Sequence, residues 1–271
     1  MSGQGRTDAE RVLPGAAREG EWHRIESGES AARVFRRTDG RAFAKLVPPS
    51  LVTELREERD RTEWAARAGI PSAPVLDWTE SSAGACLVTG AVPGVPADGL
   101  DPERAVRAWP LILCAARRVH ELASRDCPFD RGVDRMISLA SAVVAARGVN
   151  HEFLRPEQQD VDPRLLLKGL LVDLPRRQEQ EADDLVVCHG DLCLPNILVD
   201  PRTLEVTGFI DLGRLGRADR HVDLALLLAN AQDTWPVHAE RLESELERQY
   251  GREIEADRLR FYLHLDPLTW E

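Results

Sequence analysis

Lysine is almost missing from this sequence: of 35 basic residues two are lysine, Lys45 and Lys168, and the rest are arginine. A lysine kept against such a bias is a candidate for a site that needs a compact ammonium, which a planar guanidinium does not replace; Lys168, in a helical run without a phosphate loop, reads instead as a solvated residue. Long apolar runs are missing too. No stretch approaches the roughly 18 residues that span a bilayer, and Met1 to Gly20 has no apolar segment after its basic start, against a signal peptide. Cysteine is scarce, odd in number and scattered, at positions 86, 114, 127, 188 and 193. That excludes the framework of a small disulfide-stapled secreted domain and favours a reducing compartment. The expectation is a soluble, cytoplasmic protein with no membrane partner. An excess of positive charge is also absent. A formal net charge of -11 and a pI near 5.2 offer no basic face to nucleic acid and suit a small cationic partner better.

Two sequence fingerprints are absent as well. Neither G-x-x-x-x-G-K-[ST] nor G-x-G-x-x-G occurs, so neither a phosphate-loop enzyme nor a Rossmann dehydrogenase is supported. Cys188, His189 and Cys193 lack the further ligands that would complete a zinc site. What is present is enough chain, 271 residues, for two lobes or one large domain.

The first part reads as strands. Glu21 to Glu26 is a plausible opening strand before a flexible turn, Ser27 to Ala31. Arg33 to Arg37 and Arg41 to Lys45 flank Thr38-Asp39-Gly40, a strong hairpin signal. After Pro48-Pro49, Ser50 offers a cap to a helix from Thr53 to Trp64 that ends near Gly69. Pro74 to Trp78 and Ala85 to Thr89 read as two more strands, and Gly90 to Pro96 interrupts regular structure. From Asp101 the pattern turns helical, over 101–124, 134–147, 162–181, 219–232, 239–250 and 256–265. Short β runs at Leu185 to Val187, Ile197 to Val199 and Val206 to Ile210 bracket polar loops, where catalytic groups usually sit.

One of those loops carries the chemistry. His189-Gly-Asp191-Leu-Cys-Leu-Pro-Asn196 is followed fifteen residues later by Asp211. Phosphoryl transfer needs a carboxylate beside the attacking hydroxyl and oxygen ligands for magnesium on the β- and γ-phosphates. Asp191 is the expected catalytic carboxylate, orienting the hydroxyl and taking its proton late, with Asn196 and Asp211 as the metal ligands. Lys45, at the end of a hairpin strand, is expected on the α- and β-phosphates, oriented by a carboxylate of the next helix. Glu54 and Glu58 share a helical face there, whereas Glu57 points elsewhere. His189 and Asp223 are expected to brace the catalytic loop.

Cys188 to Pro201, Ile210 to Arg220 and Phe261 to Trp270 resemble, in sequence and order, the aminoglycoside phosphotransferases, most nearly the group acting on the 3''-hydroxyl of streptomycin. The resemblance implies an α+β, bilobal protein-kinase-like fold: a small antiparallel β lobe with one helix over 1–92, ending in a hinge, and a larger, mainly helical lobe over 93–271. It implies ATP between the lobes, its adenine on backbone groups of Gly90, Ala91 and Val92, together with Mg2+. Glu58 becomes the partner of Lys45, Ser30 a nucleotide-loop serine, and Arg214 an arginine near the transferred phosphate. Asp233, Asp266 and Glu271 become drug carboxylates, and no protein partner is required. Pro267 stands where kanamycin-type kinases carry glutamate, which favours a differently shaped drug whose guanidinium groups suit paired carboxylates. A kinase of choline, homoserine or a sugar is the alternative. A non-catalytic nucleotide-binding module is disfavoured by the intact set Lys45, Asp191, Asn196 and Asp211. A protein kinase is disfavoured by Gly190 and by the lack of an Ala-Pro-Glu closure after Asp211.

Overall fold

A computed structural model describes residues 21–25 and 32–270. The polar leader, the turn with Ser30, and Glu271 lie outside the described residues. Strands β1 (Trp22–Ile25), β2 (Arg33–Arg37), β3 (Ala42–Val47), β4 (Val75–Ser81) and β5 (Gly84–Gly90) form one antiparallel sheet in the order β1-β2-β3-β5-β4. The β2–β3 hairpin turns at Gly40, whose φ of 69° is left-handed and suits glycine. Helix α1 (Val52–Arg67) follows β3. Its expected cap does not form: Pro49–Leu51 is a 3₁₀ turn, and no side chain caps the helix.

Alternation along β3 decides what this unit can do. Ala42, Ala44 and Leu46 join Cys86, Val88, Trp22 and Phe35 in a cluster on one face. The intervening positions turn to the other face, where Val47 packs with Leu55 of α1, Ala85 and Leu87. Period two therefore places Lys45 on the helix side of the sheet.

The chain clusters into two compact units. The first runs to Pro93 and also takes up Thr207–Gly213; the second comprises Gly94–Val206 and the rest of the chain from Arg214. The second unit contains β6 (Val95–Pro96), α2 (Pro102–His120), α3 (Val133–Ala146), α4 (Pro163–Asp184), β7 (Leu185–Cys188) and β8 (Ile197–Val199). After β9 (Val206–Phe209), at the junction of the two, come β10 (Gly216–Asp219), α5 (His221–Thr234), α6 (Ala239–Tyr250) and α7 (Ala256–Leu265). Asp101 caps α2 by accepting the Arg104 N–H, and Asp162 caps α4 by accepting that of Arg164.

The expected helix start at Asp219 is corrected. Residues 216–219 instead pair with β7 in an antiparallel ribbon, with Asp219 opposite Leu185. Asp219 then turns the chain by accepting both the N–H and the Nδ1 of His221, at 2.9 and 2.7 Å. Arg258 of α7 neutralises the same buried carboxylate. The core of this unit joins α3, α4, α5 and α7 through Met136, Leu167, Leu170, Val222, Phe261 and Leu265.

Candidate active site

Two groups of functional side chains are visible, one in each unit. In the first, Lys45 Nζ donates to Glu58 Oε2 at 2.7 Å and lies 3.5 Å from Asp211 Oδ1. Burial works against the Lys45 charge, but the Glu58 and Asp211 carboxylates outweigh it and raise its pKa, so the ammonium is permanent. Burial raises the Glu58 pKa against the pull of Lys45. Of Glu54, Glu57 and Glu58, it is Glu58 that pairs with Lys45, while Glu57 accepts from Arg61 instead.

Asp211 is exposed and holds a φ of 58°, sparsely populated for any residue except glycine. Its segment is tied down by the Phe209 N–H on Pro71 O. At the expected hinge, the N–H groups of Gly90 and Ala91 donate to Pro74 O and Arg41 O, so these two donors are already committed within the unit.

In the second unit the loop after β7 is built around a buried carboxylate. Asp223 Oδ2 accepts the His189 N–H at 2.7 Å and His120 Nε2 lies 3.0 Å away; Oδ1 accepts the Gly190 N–H at 2.8 Å. Burial pushes the Asp223 pKa up, but the His120 hydrogen bond, the charges of His120 and His189, and the Gly190 N–H bring it below its usual value. His189 Nδ1 accepts the Asp191 N–H at 3.3 Å. Asn196 Nδ2 donates to the Asp191 carbonyl at 2.9 Å and to Asp191 Oδ2 at 3.0 Å, with Cys193 Sγ at 3.2 Å. The amide nitrogen thus points into the loop, which turns Oδ1 the other way.

Gly190 has a φ of 84°, and a Cβ there would lie 2.1 Å from the Arg214 carbonyl oxygen. Replacing it with alanine is expected to cost about 2 kcal/mol or more and to displace Asp191. Lower thermal stability together with a lower kcat checks this.

His120, Cys188 and Asp223 gather within 4.8 Å, all buried. Asp223 has spent both oxygens, His120 Nδ1 bonds Tyr250 Oη at 2.8 Å, and Cys188 Sγ faces the Asp219 carbonyl. The cluster is a hydrogen-bonded brace. Cys193, by contrast, faces the Asn196 amide.

The expected drug carboxylates stand differently from one another. Asp233, near the end of α5, is exposed and pairs with Arg155 at 2.6 Å. Asp266 is 6% exposed and takes Arg131 Nη2 at 3.1 Å and Arg214 Nη1 at 3.2 Å on Oδ1, with Trp270 Nε1 at 2.8 Å on Oδ2. Where a carboxylate open to a cationic drug was expected, the structure has one enclosed by protein donors. Arg131, His120 and Trp270 were not singled out from the sequence. Arg131 and His120 are brought in by contacts over more than a hundred residues with no local motif to mark them, whereas Trp270 closes the segment Phe261 to Trp270. Lys168 is exposed on α4.

A lysine–glutamate pair beside a strained aspartate, and an aspartate–asparagine loop braced from below, are the equipment of a phosphotransferase. The model of the phosphotransferase enzyme family matches residues 21–262. The chain is 53% identical to the streptomycin 3''-kinase of Streptomyces griseus, covering 93% of each. It is 40% identical to the aminoglycoside 3'-phosphotransferase of Streptomyces fradiae, covering 91% of this chain and 94% of that one. Among solved structures, the aminoglycoside phosphotransferase APH(3'')-Id of Streptomyces rimosus, in complex with ADP and streptomycin, is 48% identical with a TM-score of 0.87, covering 92% and 93% of the two chains. The chain belongs to the phosphotransferase enzyme family and has its α+β, kinase-like fold. Among the described residues no helix is long and apolar enough to cross a membrane.

Proposed function

We propose that this protein transfers the γ-phosphoryl group of ATP to the 3''-hydroxyl of streptomycin, inactivating the antibiotic and giving resistance. The observation that carries this reading is the 53% identity to a streptomycin 3''-kinase over nearly the whole chain, catalytic loop included. The alternative of a choline, homoserine or sugar kinase has no comparable support.

Asp191 orients the attacking hydroxyl and accepts its proton as the new P–O bond forms. Its position is set by the Asn196 amide on one oxygen and by His189 behind its N–H. The permanent ammonium of Lys45 meets the α- and β-phosphates, and Glu58 keeps it extended. Ser30 and the backbone at Gly90, Ala91 and Val92 hold the remainder of the nucleotide.

Asn196 Oδ1 and the exposed Asp211 carboxylate are hard oxygen donors, the set that suits Mg2+. Bound there, the ion would neutralise charge on the β- and γ-phosphates. Asp233 and Glu271 supply negative charge toward the guanidinium groups of the drug. All five cysteines are unbridged, in keeping with a cytoplasmic enzyme.

Purified protein with ATP and magnesium is expected to release ADP when streptomycin is added, and the product should carry one phosphate by mass. Turnover on kanamycin or choline but not on streptomycin overturns the assignment.

A further inference from the structure

Asp266 sits in surroundings unlike those of a drug-binding carboxylate. Two guanidinium groups, from Arg131 and Arg214, converge on its Oδ1, and the indole N–H of Trp270 occupies Oδ2. The side chain of Arg131 is 5% exposed and that of Asp266 is 8% exposed. Three protein donors already use most of the acceptor capacity of this carboxylate, and it is nearly closed to solvent, which leaves little for a cationic drug. The cluster also holds two cations for one carboxylate, so its unspent charge is positive.

The remaining geometry is directed at Arg214. Its guanidinium carbon lies 3.3 Å from the centroid of the Trp270 ring, so the indole sets the plane of the group. Nη1 carries both described hydrogen bonds, to Asp266 Oδ1 and to Thr269 Oγ1 at 3.1 Å. Thr269 is itself fixed by donating to the Asp266 carbonyl at 2.7 Å. Among the described residues Nε and Nη2 have no partner, and the side chain keeps 19% exposure.

Arg131 completes the holder from the other side. Its N–H donates to Arg217 O, and neighbouring Asp130 bridges Arg217 of β10. Burial and the nearby Arg214 charge lower its pKa to about 10, so it stays a cation at neutral pH while its charge is spent on Asp266. The holder is also registered against the catalytic loop. The Arg214 backbone lies directly on Gly190, the residue before Asp191, with no room for a Cβ between them.

We propose that Asp266, Trp270 and Arg131 are positioning residues that hold the open edge of the Arg214 guanidinium toward the phosphoryl group handled by Asp191, and that Asp266 makes no contact with the antibiotic. A guanidinium with a fixed plane and a free edge matches the oxygens of a phosphoryl group, and preorganised charge of this kind acts on the transfer step. The inference rests on the phosphotransferase reading of Asp191.

The test is steady-state kinetics with ATP and streptomycin varied in turn, for wild type, Asp266→Asn, Trp270→Phe, Trp270→Ala, Arg214→Ala and the double variant Arg214→Ala/Asp266→Asn, with melting temperatures in parallel. Asp266→Asn and Trp270→Ala should lower kcat about tenfold or more while the streptomycin KM stays within about twofold. Trp270→Phe, which keeps a ring under the guanidinium, should recover most of kcat. The double variant should be no slower than Arg214→Ala alone, because all three act through Arg214.

A tenfold rise in streptomycin KM at unchanged kcat for Asp266→Asn assigns the carboxylate to the drug and overturns the proposal. So do unchanged kinetics in Arg214→Ala, or strict additivity in the double variant. If Asp266→Asn does not fold, the comparison of Trp270→Phe with Trp270→Ala decides: equal kcat in the two overturns the proposal. Failure of the underlying reading is separately visible, since wild type would then not turn over streptomycin.

Discussion

Asp191→Ala is expected to lower kcat by about 10³-fold or more, a loss within the range that a positioned carboxylate contributes to proton transfer and orientation. Nucleotide affinity should change little, because the Lys45 ammonium proposed for the phosphates is held by Glu58 and Asp211 of the first unit. The loop itself should survive: Asp223 still holds the N–H groups of His189 and Gly190, and Asn196 keeps its bond to the residue 191 carbonyl. Asp191→Asn separates the two parts of the role. It retains an oxygen for the Asn196 amide and loses the proton acceptor, so it should be nearly as slow as alanine. Single-turnover phosphate transfer and calorimetric ADP binding measure both quantities. Near-normal turnover in either variant would remove Asp191 from the mechanism.

Asp223→Ala is expected to be the most damaging change to stability, at about 3 to 5 kcal/mol, the cost of removing one partner from a buried charged network. It strands two backbone N–H groups and leaves the buried His120 with Tyr250 alone. Since these donors define the catalytic loop, kcat should fall with stability, and thermal unfolding monitored beside activity checks both.

The same carboxylate predicts an acid limb. Its folded pKa lies below the unfolded value because His120, His189 and the Gly190 N–H outweigh burial. The stabilisation is therefore complete above the unfolded carboxylate pKa and is lost as pH falls through the lower folded value. Wild type should lose stability on acidification more steeply than the alanine variant, with the two curves converging at low pH.

Much of this site could be read directly. Asp191 and Asn196 are close in sequence, and a short loop between two β runs leaves few ways to arrange them. Lys45 and Glu58 were accessible through periodicity, since a strand alternates its faces and a helix repeats every three or four residues. The hairpin at Gly40 and the helices over 239–250 and 256–265 follow from the same local rules.

The misreadings have physical causes. Residues 216–219 look like the start of a helix because Asp219 is a fitting cap residue, yet their backbone groups find partners in Leu185–Cys188, some thirty residues earlier. Ser50 is a good cap by type, but a 3₁₀ turn at Pro49–Leu51 carries the helix start past it. Asp266 is a drug carboxylate by resemblance alone, and its enclosure by Arg131, Arg214 and Trp270 depends on contacts that residue type does not reveal.

Residue type and short-range spacing are enough to single out the candidate carboxylate, amide and ammonium of the proposed chemistry before any packing is known. How those groups are supported follows from packing between distant parts of the chain. The brace of Asp223, His120 and Tyr250 beneath the loop, and the enclosure of Asp266 between Arg131, Arg214 and Trp270, join residues far apart in the chain. Burial is what turns such residues from surface charges into fixed partners, and burial is a property of the packed chain, which spacing along the sequence does not encode.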